Sequence, residues 1–225
     1  MVTGTATHDD FWLATLSGGE IDLLDPSPAQ FDMGEIAEAL SKICRFSGRI
    51  SAIWSVAQHS VLMADHATPA ARPYCLLHDA KESGIGDTPT PAKRAQLVAL
   101  AGLDMPTADP REERMRRALH GLLVERQRAF EDRIDAAIHR AAGLSWPPPR
   151  DVAAEVHALD LRALVTERRR FMAPTRRKWG AAVEKARPFY RARLDPLAPP
   201  LAAAEWLAAA RDCLPVFAAL RADAA

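Results

Sequence analysis

Cysteine is scarce in this chain, and long apolar runs and net charge are missing altogether. Cys44, Cys75 and Cys213 stand far apart and are odd in number. They make neither a disulfide framework nor a CxxC metal site, and they fit buried reduced thiols. No apolar stretch approaches the roughly 18 residues that a membrane-spanning helix needs. The first residues lack the charged-then-apolar pattern of a secretion signal. A cytoplasmic protein with no membrane partner is the expectation. Lys plus Arg number 29 and Asp plus Glu number 29, for a formal net charge of +0. That balance removes any global pull toward nucleic acid or an anionic surface, so no nucleic-acid partner is expected. Arg168-Arg169-Arg170 and Arg176-Arg177-Lys178 are local basic runs, read as a solvated helix face and a loop. The chain has no internal repeat.

What is there suits one domain. The 225 residues are 48% hydrophobic and 26% charged, which is long and apolar enough for a full core. In residues 11–24, two short apolar runs flank Gly18-Gly19 and predict a β-hairpin with a two-residue turn. Asp25-Pro26-Ser27-Pro28 then breaks the chain. Residues 1–30 are read as a hairpin arm and 31–225 as a helical domain, a single domain overall. Asp32 with Glu35 predicts a capping box, and Ile36, Leu40 and Ile43 recur at core-facing spacing. Ser55 with Gln58 repeats the pattern ahead of a helix carrying His59, with Val56 and Met63 turned inward. Thr68-Pro69 predicts the start of the next helix. It runs into His78-Asp79 and ends near Gly84, where glycine can turn left-handed. Asp109-Pro110 opens a long charged helix to about Arg140, with Leu119, Leu122, Leu123, Phe130, Ile134 and Ile138 as its apolar stripe. Further helices are predicted near 151–172, 200–212 and 214–222, with turn and loop from Pro174 to about 187. The fold class is all-α, a helical bundle with a short N-terminal β-hairpin.

The chemistry concentrates between His59 and Asp87. His59, the doublet His78-Asp79, Glu82 and Gly86-Asp87 fall within one apolar stretch. Imidazole nitrogens with carboxylate oxygens suit Mn, Co, Ni, Fe or Zn, and suit Mg less, since Mg prefers oxygen alone. His59, His78 and Asp79 are three candidate ligands to one divalent ion. Asp160 is the best candidate for a fourth: it shares a helix face with Val152, Val156 and Ala163, where an acid is costly unless something charged meets it. Glu82, four residues after His78, and Asp87, in the glycine turn, are candidates to hold or deprotonate a metal-bound water. Lys93 and Arg45 are candidates to meet an anionic substrate, the arginine fork being suited to phosphate. His8, His66, His120, His139 and His157 lack such company and are read as ordinary.

Together these motifs resemble a known family. Ile43-Cys44-Arg45-Phe46, Ser55-Val56-Ala57-Gln58-His59-Ser60, Leu76-Leu77-His78-Asp79-Ala80-Lys81-Glu82 and Gly86-Asp87-Thr88-Pro89-Thr90-Pro91 are similar to those of the HD-domain metal-dependent phosphohydrolases. So is Ala158-Leu159-Asp160 followed by Thr166-Glu167-Arg168-Arg169. The resemblance covers most of residues 15–180 and points to the branch of bacterial 5′-deoxynucleotidases and phage-type dATP triphosphohydrolases. It implies one divalent metal held by His59, His78, Asp79 and Asp160. Glu82 and Asp87 would handle the attacking water, and Arg45, Phe46 and Lys93 would contact the nucleotide. Relatives often carry Trp at the Phe46 position, and the charged 105–142 segment has no obvious counterpart in the small enzymes. The implied activity removes the 5′-phosphate of a (deoxy)nucleoside monophosphate, in a homodimer. Alternatives are a (d)NTP triphosphohydrolase with the same centre, a metal- and nucleotide-binding sensor without turnover, and a helical interaction module.

Overall fold

In the computed structural model, which describes residues 10–223, helices dominate. Residues 1–9, which include His8 and the start of the expected arm, lie outside the described part. The hairpin is present: β1, Trp12–Ala14, pairs antiparallel with β2, Glu20–Asp22, with Leu13 opposite Ile21. Its connection is longer than two residues. Thr15 N–H reaches the Gly19 carbonyl at 2.8 Å, and Gly19 N–H donates to the Thr15 hydroxyl at 2.9 Å, so the Thr15 side chain organises a five-residue loop. Of its two glycines only Gly18 takes the left-handed backbone, at φ 86°.

α1 spans Met33–Lys42. Asp32 caps it by accepting from Gly34 and Glu35 N–H. The capping box stays half-formed, because the Glu35 carboxylate accepts the Ser17 N–H at 2.7 Å and ties the hairpin loop to α1. Ile36 and Leu40 are buried as the spacing predicts; Ile43 follows the helix and is half-buried.

α2, Val56–Ala64, is the central element. Only Val61 on it is not buried, so this helix, apolar nearly all round, sits inside the bundle. Ser55 caps it by accepting from Gln58 N–H at 3.2 Å. α3 spans Arg72–Leu77 and begins three residues after Pro69, not at Thr68. Thr68 is instead held by Glu155, through its N–H at 2.7 Å and its hydroxyl at 2.8 Å. α4, Glu82–Ile85, follows, and the left-handed residue that ends it is Gly86, at φ 76°, rather than Gly84. α5, Thr90–Leu100, begins at the end of the glycine turn, with Pro91 in its first turn, and was not among the predicted helices.

α6 is Pro110–Ala141, capped by Asp109. Its apolar stripe is buried only in its second half. Ile134 and Ile138 are buried, while Leu119 is 41% and Leu122 48% exposed. The first half overhangs the core, with α5 alongside it. α7, Arg150–Phe171, matches the expected helix. The loop beyond it contains a short α8, Ala181–Lys185. α9, Pro199–Cys213, and α10, Pro215–Asp223, close the bundle. α9 packs on α1, α2 and α3, with Trp206 fully buried against the cluster that holds Leu40, Met63, Leu76 and Leu77. Each such side chain stabilises the fold by about 1.5–3 kcal/mol relative to exposure. That rigid centre fixes where α2 presents His59.

Candidate metal centre

His59 comes from the middle of α2 and is fully buried. Its Nδ1 lies 2.6 Å from Glu167 Oε1. With the proton on Nδ1, the ring donates to that carboxylate and turns Nε2 outward. Nε2 is buried without a hydrogen-bond partner, 3.7 Å from Asp79 Oδ2 and 3.5 Å from Asp160 Oδ1. A buried orphan nitrogen facing two carboxylates at non-bonded distance has the donor set of a cation site.

His78 and Asp79 lie where the helix tightens. Past Leu77 the bonds become i to i−3: Ala80 N–H to the Leu77 carbonyl at 2.9 Å, then Glu82 to Asp79 at 2.9 Å. At three residues per turn, side chains three apart eclipse. Asp79, and not His78, therefore stands over Glu82, which differs from the helix face predicted for Glu82. His78 Nε2 lies 3.1 Å from Asp79 Oδ1 and 3.8 Å from Asp160 Oδ1. Asp160 arrives from α7, on the stripe with Val152 and Ala163, both buried.

His59, His78 and Asp160 thus each bring one ligand atom to within 4.8 Å of the others and can hold a metal ion. Two ligand atoms about 2.1 Å from a tetrahedral ion lie about 3.4 Å apart, in the middle of the spacings found here. Asp79 gives one oxygen to the side of each imidazole, with Oδ2 also accepting from Arg45 Nη1 at 3.1 Å.

The electrostatics follow from burial and crowding. Burial and then Arg45 push His59 down, but the charge of Glu167, the nearby Asp160 carboxylate and the Glu167 hydrogen bond prevail and raise it to about 10. Burial favours a neutral Asp160, yet the close imidazoles of His59 and His78 hold it below the usual carboxylate range. Burial pushes Glu82 up to about 9, with Asp79 and Asp87 adding to the shift. Asp87, set by the left-handed Gly86, is also raised, first by burial. Glu82 therefore tends to keep its proton near neutral pH, and Asp87 is shifted in the same direction.

The residues expected to contact substrate divide. Arg45 is buried at 8% exposure, between Asp79 and Glu167, its Nη2 3.6 Å from Glu167 Oε2. Its guanidinium also lies 5.5 Å from the Phe46 ring centre. The backbone is locally strained here: Phe46 and Ser47 are both left-handed, at φ 58° and 52°. Such positions cost on the order of 1–3 kcal/mol each and concentrate at functional sites. Arg45 N–H to the Trp54 carbonyl at 2.8 Å and Val56 N–H to the Ile43 carbonyl at 3.0 Å hold the loop closed. Lys93 is engaged elsewhere, with Glu131 at 3.0 Å.

Three residues at or beside the site were given no role in the sequence reading. Glu167, fully buried, accepts from His59 and from Trp54 Nε1 at 2.8 Å. Burial raises its pKa, but His59 and Arg45 pull it below the usual range. Its signal was present: Glu167 follows Asp160 by seven residues, two turns on the same face. Trp54 and Trp179 carried no such signal. Trp179 meets Phe46 edge-on at 6.3 Å across a separation only folding could close.

No family model matches the chain. It is 30% identical over 158 residues to an uncharacterized protein of Rhodobacter capsulatus, covering 66% of this chain and 67% of the relative. It is 32% identical over 137 residues to the uncharacterized protein YfdR of Escherichia coli, covering 61% of this chain and 59% of that protein. The chain therefore spans less than two thirds of YfdR and about two thirds of the Rhodobacter protein. No described helix is long and apolar enough to cross a membrane. With that identity and coverage, the chain belongs to one family with the Rhodobacter capsulatus protein.

Proposed function

We propose that this protein is an HD-type metal-dependent phosphohydrolase that cleaves the 5′-phosphate from (deoxy)nucleoside monophosphates. One observation carries the reading: His59 from α2, His78 from the turn that follows α3, and Asp160 from α7 converge around an orphaned imidazole nitrogen. Asp79 completes the ligand set in this proposal. The mixed nitrogen and oxygen donors favour Mn, Co, Ni, Fe or Zn over Mg. When bound, such an ion supplies Lewis acidity toward a phosphoryl oxygen and an acidified water.

The chain's own residues would do the rest. Glu82 and Asp87, both raised by burial, orient the attacking water and exchange its proton. Arg45 remains charged because Glu167, Asp79 and Asp160 outweigh its burial, so it offers fixed positive charge toward developing negative oxygens. Phe46 presents a half-buried aromatic ring beside that guanidinium, suited to a nucleobase.

The test is turnover of a panel of nucleoside mono- and triphosphates with added Mn or Co. Orthophosphate release from monophosphates is expected. Pyrophosphate or tripolyphosphate from triphosphates would shift the reading to a triphosphohydrolase. Asp79→Ala is expected to abolish turnover, and unchanged activity in that variant would sink the metal assignment.

A further inference from the structure

The long helix α6 touches the frame of the candidate centre through one buried contact. Asp135, 6% exposed, places Oδ2 3.0 Å from Lys81 Nζ. The same ammonium donates to the backbone carbonyl of His78 at 3.2 Å. Lys81 sits between Asp79 and Glu82, inside the tight turn that carries three of the site's side chains. α3 ends at Leu77, and carbonyls at a helix end lack partners in the helix itself. The His78 carbonyl obtains one from Lys81, and Lys81 in turn is anchored to a residue 54 positions away in sequence. Short 3₁₀ segments hold poor hydrogen-bond geometry on their own and shift readily. Behind the pair, Glu131 binds Lys93 at 3.0 Å and Gln127 at 2.8 Å, which stiffens the face of α6 that Asp135 shares.

We propose that Lys81 and Asp135 are positioning residues: their buried ion pair clamps the 78–82 turn onto α6 and so sets how His78, Asp79 and Glu82 face His59 and Asp160. This assigns a role to a helix whose sequence alone gave none. It rests on the reading of the cluster as a metal centre.

The experiment uses the full chain with Co(II), read by its visible absorption, by nucleoside monophosphate turnover and by thermal midpoint. The variants are Lys81→Met, Asp135→Asn, the apolar pair Lys81→Met with Asp135→Leu, and Lys81→Arg. Both single variants are expected to lower kcat by about 10²-fold with KM little changed, as a roughly 1 Å misplacement does. The Co(II) dissociation constant should rise about tenfold, with an altered spectrum. Apolar pairs replace buried ion pairs without loss of stability, so the double variant should recover the thermal midpoint but not kcat or the spectrum. Lys81→Arg should rescue part of the kcat. A merely structural pair would give recovery of kcat along with the midpoint in the double variant, and that result overturns the proposal. Wild-type kcat and spectrum in folded single variants overturn it equally. If the wild-type chain binds no Co(II), the metal-centre reading falls and takes the proposal with it. Tight wild-type binding with indifferent variants removes the proposal alone.

Discussion

Replacing Glu167 by glutamine tests the centre at its least exposed point. Glu167 Oε1 accepts two hydrogen bonds, from His59 Nδ1 at 2.6 Å and Trp54 Nε1 at 2.8 Å, while Oε2 faces Arg45 Nη2 at 3.6 Å. Glutamine keeps the volume but makes one oxygen a donor. With its oxygen toward His59 and Trp54, its amide group faces the guanidinium, donor against donor. With the amide turned the other way, it meets the indole N–H and forces His59 to carry its proton on Nε2, the nitrogen a metal needs. Neither orientation restores the native pattern. Loss of such an outer partner lowers metal affinity 10–100-fold, about 1.4–2.8 kcal/mol. The assay is calorimetric titration with Co(II), on protein shown folded by far-ultraviolet circular dichroism. In parallel, the gain in thermal midpoint at fixed Co(II) should shrink. Glu167→Ala, which strands two buried donors and removes one of the two carboxylates beside Arg45, should cost roughly 3–5 kcal/mol of stability outright. Wild-type Co(II) affinity in a folded Glu167→Gln variant would refute the reasoning, because the imidazole would then be oriented by something else.

Two further perturbations probe the fold around the site. His139 is fully buried, its pKa pushed down to about 4 by burial. An imidazole that ionises near 6.5 unfolded and near 4 folded supports the fold above pH 6.5 and withdraws that support as pH falls toward 4. Between pH 7 and 5 this removes about 2 kcal/mol, so urea midpoints should drop less over that range in His139→Gln than in wild type; equal drops contradict the assignment. Ser47, exposed and left-handed at φ 52°, should accept glycine with a gain of about 0.5–1 kcal/mol. The thermal midpoint of Ser47→Gly reads it, and a loss of stability would mean that the serine side chain contributes more than its strained backbone costs.

Spacing alone made much of the architecture legible. Capping residues at Asp32, Ser55 and Asp109 marked three helix starts that the hydrogen bonds bear out, because a cap is a local interaction between neighbours. The hairpin was legible for the same reason, though its loop length was not: the Thr15 side chain competes with the glycine turn. Thr68-Pro69 misled, since Glu155 on α7 captures Thr68 from 87 residues away. Leu119 and Leu122 misled too, because periodicity tells which face of α6 is apolar and not whether anything covers it.

The order of residue types along the chain was enough to fix the helical class and to single out His59, His78 and Asp160, because amphipathic period, caps and a costly acid on an apolar stripe are all properties of neighbours. Tertiary structure alone decided that those three meet within 4.8 Å, that Arg45 turns inward to Asp79 and Glu167, and that Asp135 reaches Lys81. Those pairings join residues 19 to 122 positions apart, and only the packing of α2, α3, α6 and α7 sets their distances.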